Sequence, residues 1–214
     1  MTQSSFFAPG GLILGSALFF LATLGLQKPN LQKRTDYIAP PIEIKYLTGG
    51  FHVAMADSFW LRAVQDFDYC EQKNNEGDCK NRSWLFQVLN LVTELDRRFE
   101  LAYMYGGLAL TVLISDVNGA TTIYDRGVQE FPKSWPLLYT AAYHALSEEH
   151  DKSKASKLYY QAFQNGAPNW TSLLAGRLAA EAGDRDFSQS VLQQMKADQF
   201  NPLWIKRLED RLKR

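Results

Sequence analysis

DVNGATTIYDRGVQEFP, residues 116–132, and DKSKASKLYYQAFQNGAP, residues 151–168, carry one signature twice. Ala120, Tyr124, Gly127 and Pro132 are spaced by four, three and five residues. Ala155, Tyr159, Ala162 and Ala167 repeat those spacings 35 positions later, with Pro168 one place further on. Upstream by the same period, Leu85, Leu89, Val92 and Arg97 form a degenerate copy; downstream, Ser188, Leu192 and Met195 keep the first two spacings. Gly107, Ala142 and Gly176 stand twelve or thirteen places before the first member of the three later sets. A small residue is needed where two helices of a hairpin cross closely, and an aromatic or leucine one turn later fills the space beside it. Proline, or a turn in its place, ends the second helix before the next hairpin begins, and Gly183-Asp184 falls where paired helices should turn. One hairpin cannot bury its apolar face alone, so stacking must supply the core.

Working outward, helical periodicity continues. AMADSFWLRAVQDF, residues 54–67, places Met55, Phe59, Ala63 and Phe67 at four-residue steps, with Trp60 and Val64 widening the stripe. WLFQVLNLVTELDRRF, residues 84–99, sets Leu85, Leu89, Val92 and Leu95 on one side and is expected to be a single helix. The only strand-like alternation is the ambiguous PIEIKYL of residues 41–47. The chain therefore reads as all-α.

The hairpin pattern resembles the tetratricopeptide repeat, whose helical pairs recur at ~34 residues. The resemblance runs from about Ser83 to Gln199, strongest in 116–132 and 151–168. It implies an α-solenoid whose first helices line a surface that receives peptides or partner helices. On that surface the register places Tyr139, Tyr143 and Arg177 as partner-binding residues, with packing between repeats the competing role for the two tyrosines. Gly49-Gly50-Phe51 through Ala56-Asp57-Ser58-Phe59-Trp60-Leu61-Arg62-Ala63, with Glu94-Leu95-Asp96-Arg97-Arg98-Phe99, is similar to a group of bacterial membrane-anchored repeat proteins. That likeness implies architecture and carries no activity.

Phe6 to Leu26 is 21 residues without a charge. As a helix it would extend roughly 31 Å, the depth of a hydrocarbon core. The expected organisation is a transmembrane anchor over 1–27, an extended proline-bearing linker over 28–47 and a tetratricopeptide-like helical domain over 48–214. A cleaved signal peptide is the rival for the first segment, although Met1–Ser5 lacks the usual basic residue. Lys28, Lys33 and Arg34 follow the span, which by the positive-inside rule puts the domain in the cytoplasm. Cys70 and Cys79, the only two cysteines, flank a polar loop that a disulfide could close, which needs an oxidising space; two free thiols are the alternative. The two signals oppose each other. The expectation favours a single-pass protein of the inner membrane with its domain on the periplasmic side, and leaves sidedness open.

Composition excludes more than it assigns. Lys and Arg number 23 and Asp and Glu 23, so nothing suggests the basic footprint of a nucleic-acid binder. The tail Ile205–Arg214 mixes both signs and reads as a solvated closing helix. His52, His144 and His150 form no metal-binding pair, and Glu148-Glu149-His150-Asp151 reads as a turn with Asp151 capping the next helix. Asp57 and Arg62 read as polar groups satisfied at a packing seam rather than a functional pair. Asn169-Trp170-Thr171 matches a glycosylation sequon, but Asn169 is better placed as a helix cap after Pro168. No phosphate loop or nucleophile elbow occurs. The expectation is a non-enzymatic chain without cofactor: a membrane-anchored scaffold for protein partners, in a membrane complex. The alternative is a periplasmic peptide- or polymer-binding accessory of an export system.

Overall fold

The computed structural model describes residues 39–65 and 83–213. A 3-10 turn, Ile42–Tyr46, is followed by nine α-helices and no strand among the described residues: α1 His52–Gln65, α2 Trp84–Leu95, α3 Glu100–Ala109, α4 Val117–Glu130, α5 Trp135–Ser147, α6 Lys152–Gln164, α7 Trp170–Glu181, α8 Arg185–Ala197 and α9 Pro202–Leu212. A π-helical turn, Leu110–Ile114, prolongs α3. All belong to one compact unit, Ile38–Arg214. Helices pair in sequence order as α1/α2, α3/α4, α5/α6 and α7/α8, and α9 closes the stack against both α7 and α8.

The expectation of a transmembrane helix ahead of the hairpins is corrected. No helix of the described residues is long and apolar enough to cross a membrane. The longest of them, α1 and α4, have 14 residues, which reach about 21 Å where a bilayer core needs about 30 Å. Phe6–Leu26, the segment read as the anchor, lies outside the described residues, as do Cys70 and Cys79. The fold that stands is an all-helical stack.

The repeat positions are where the hairpins close. Ala120, Ala155 and Ser188 are fully buried, as are Ala142 and the ring of Tyr159, and Tyr124 is nearly so. A Cβ on Gly107 would come within 2.6 Å of the Tyr124 ring, so this glycine lets α3 and α4 approach. In the α7/α8 pair the hydroxyl of Ser188 donates to the carbonyl of Gly176 at 2.8 Å. The turns of the three hairpins α3/α4, α5/α6 and α7/α8, which lie among the described residues, use one device. A residue in the left-handed region, Ser115, His150 or Gly183, precedes an aspartate. Asp116, Asp151 and Asp184 then accept from the backbone N–H of Gly119, Lys154 and Phe187 and cap the second helix. Asp116 is fully buried, and Ser83 at the start of α2 also donates to it at 2.5 Å.

Local chemistry moved several expected boundaries. The helix read over 84–99 ends at Leu95, since the Asp96 carboxylate accepts from the N–H of Arg98 and turns the chain there. Residues 41–47 form the 3-10 turn rather than a strand, and Lys45 ties it to Glu94 of α2 at 3.2 Å. Glu94 is shared with Arg126 of α4, whose guanidinium also donates to Thr93 and Asn90. In α1 the fully buried positions are Ala56 and Ala63, and Val64, assigned to the apolar stripe, faces out. Asn169 holds the cap position of α7, but its side chain makes no capping bond; Thr171 donates to the Pro168 carbonyl instead.

Candidate functional site

Exposed apolar side chains are distributed unevenly between the two classes of helix. Leu61 and Val64 on α1, Leu101, Tyr105 and Leu108 on α3, Val112 and Leu113 in its π-turn, Trp135 and Tyr143 on α5, Trp170 on α7 and Leu203 on α9 all stand open to solvent. Among the described residues, no large hydrophobic side chain is exposed on the second helices α2, α4, α6 and α8. The packing explains the buried half: the second helices sit between first helices and spend their apolar residues on the core. Nothing in the packing explains why the outward faces of the first helices stay apolar.

On α3 the exposed residues Leu101, Tyr105, Leu108 and Val112 follow helical spacing and form one stripe. A depression of about 310 Å³ lies along it, lined by Tyr105, Leu108, Ala109, Val112 and Leu113. At the other end of the stack α7 and α9 enclose a cleft of about 480 Å³, lined by Trp170, Leu173, Leu174, Arg177, Arg207, Leu208 and Arg211.

The three residues expected to bind a partner separate. Tyr139 is half-buried and packs edge-on against Tyr159 at 5.4 Å and Trp170 at 5.8 Å, so it joins α5 to α6 and α7. Tyr143, one turn later, is half exposed. Arg177 is exposed, lies 3.8 Å from Glu181 on its own helix and lines the α7/α9 cleft. Trp170 touches Tyr139 and lines the same cleft as Arg177, which links two of the three. Sequence reasoning missed Trp170, Arg207 and Arg211. Arg207 and Arg211 are four apart and so share a helix face, but the mixed charge of the tail concealed it.

Among the described residues, the buried polar side-chain atoms elsewhere are internally satisfied, except for the Ser172 hydroxyl. His144 is buried between α3 and α4, with Nδ1 2.9 Å from Thr111 Oγ1 and Nε2 3.0 Å from Thr121 Oγ1. Burial pulls its pKa below the ordinary imidazole value, against the nearby Glu149 carboxylate, which pulls the other way. Glu149 is held by Lys154, which also reaches Asp125 at 2.8 Å. The acidic turn is thus a structural ion-pair network, with Asp151 as the expected cap. Asp57 and Arg62 do not pair; the Arg62 guanidinium lies over the Trp84 ring at 5.5 Å. Among the described residues, no cluster of three or more His, Cys, Asp or Glu is arranged to hold a metal. Protein-family models, curated proteins and solved structures yield no match to this chain.

Proposed function

We propose that the chain is a scaffold of tetratricopeptide-like helical hairpins that binds a protein partner along the outward face of its first helices. One observation carries this reading: exposed large apolar and aromatic side chains lie on α1, α3, α5, α7 and α9 and are missing from the described second helices. An apolar face costs solubility and brings nothing to a monomer, so its restriction to one class of helix favours a surface that is covered in use. Tyr143 and Trp170 are the aromatic anchors and Arg177 the charged one, residue types that dominate binding energy at interfaces.

Affinity purification of the full chain, followed by mass spectrometry, tests the proposal. A protein recovered in stoichiometric amount, and lost with Tyr143→Ala while the melting temperature holds, is the expected result. Recovery of a bound glycan or of no partner contradicts it.

A further inference from the structure

The α7/α9 cleft has a floor and a rim of different chemistry. Trp170, Leu173, Leu174 and the buried Leu208 make the floor apolar, and Arg177, Arg207 and Arg211 bring three guanidiniums to the edge. A volume of about 480 Å³ is within the range of small-ligand and side-chain pockets. One carboxylate is already present. Glu181 accepts from Arg211 at 3.0 Å and from Lys152 at 2.9 Å, with Arg177 at 3.8 Å. The Lys152 hydrogen bond, foremost, holds its pKa below the usual carboxylate value. Glu181 cannot neutralise the rim, since its single carboxylate is shared by two arginines and a lysine, and Arg207 makes no ion pair among the described residues. The acids of α9 are committed elsewhere: Glu209 pairs with Lys196 of α8 at 2.6 Å, and Asp210 faces Lys213. The cleft therefore keeps a net positive rim of guanidinium forks, with Arg207 free of any ion pair among the described residues, beside an apolar floor.

The geometry points to an acidic peptide segment of the partner protein as its occupant, with leucine or aromatic side chains seated on Trp170, Leu173, Leu174 and Leu208 and flanking carboxylates held by Arg207 and Arg211. This rests on the scaffold reading and adds the chemistry of the partner. Guanidinium forks match carboxylates bidentately, which lysines do not, and an apolar floor strengthens each such pair by excluding water. A free anion would use the rim alone; a neutral apolar segment would use the floor alone. Only a segment that is both acidic and apolar uses the whole cleft.

Fluorescence anisotropy on the full chain tests this with three labelled, capped peptides: glutamate pairs separated by leucine, glutamate pairs separated by serine, and lysine pairs separated by leucine. The glutamate–leucine peptide should bind, and the other two should bind at least about tenfold more weakly. Arg207→Glu should weaken binding by about tenfold or more, while Lys206→Glu, which changes charge outside the cleft, should not. Thermal melting of both variants separates binding loss from unfolding. Equal binding of the serine peptide, or an unchanged affinity in Arg207→Glu, overturns the proposal. So does tighter binding of anionic phosphatidylglycerol vesicles than of the peptide, or self-association that Arg207→Glu abolishes, since these give the cleft to lipid or to a second copy. If Tyr143→Ala loses the co-purifying protein and Arg207→Glu keeps it, the scaffold stands and the cleft assignment falls. If the peptide binds as expected but no protein co-purifies, the cleft stands and the scaffold falls.

Discussion

His144 shows how a single buried side chain couples helices and acidity. Four contacts meet around its ring: Thr111 to the Gly107 carbonyl, Thr111 to Nδ1, Thr121 to Nε2, and Thr121 to Glu149. Each needs a proton. The two hydroxyls and a neutral imidazole supply only three, so one contact must lapse, whereas an imidazolium would satisfy all four. Burial nevertheless favours the neutral ring, with Lys154 adding to it and Glu149, Glu148 and Asp125 opposing. A histidine whose folded pKa lies below its unfolded value of 6.5 binds fewer protons when folded. Its contribution to stability is fully present above about pH 6.5 and is lost as the pH falls from there towards the folded value. Melting temperatures measured across that window should decline for the native chain and decline less for His144→Asn; parallel curves would remove the histidine from the explanation.

The turns at 115–116, 150–151 and 183–184 are the feature most legible in the sequence, and their chemistry is local. Aspartate at 116, 151 and 184 announces a helix start through its own side chain. Asp151→Ala should cost about 1 kcal/mol, read by urea unfolding, because the N–H of Lys154 loses its acceptor. His150, at φ 54°, occupies the left-handed region where glycine sits at the equivalent position 183. His150→Gly should therefore be neutral or stabilising by up to about 1 kcal/mol, the relief of the Cβ clash being partly offset by glycine's larger unfolded-state entropy. At the crossing of α3 and α4, Gly107→Ala should overpack against Tyr124 and cost about 1–3 kcal/mol. A melting temperature unchanged by that methyl would mean that the crossing is looser than drawn. Two boundaries were illegible for equally physical reasons. Ile42–Tyr46 alternates as a strand does, yet Lys45 fixes it to Glu94, a contact that spans 49 residues. The end of α2 at Leu95 depends on Asp96 bonding to the backbone two residues on, which outweighs an uninterrupted apolar period.

Across the whole molecule, the repeat spacing predicts which helices pair, because small residues and their fillers recur with the hairpin. It does not predict the α7/α9 cleft. Trp170 and Arg207 come together only when α9 closes the stack, and no spacing in the chain records an apposition made by the last helix. The tail mixes both signs, yet in the structure Glu209 faces α8 and Arg211 faces Glu181 of α7, so the charges are sorted by face. Tyr139, which the register leaves between partner binding and packing between repeats, packs edge-on against the rings of Tyr159 and Trp170. The central claim, that the first helices carry the binding face and the second helices do not, is tested most directly by photo-crosslinking from single positions of the full chain in cells. A benzophenone side chain at position 143 on α5 or 177 on α7 should trap one discrete protein adduct, and the same group at position 193, exposed on α8, should trap none. Adducts of equal yield from all three positions, or from position 193 alone, would contradict the account.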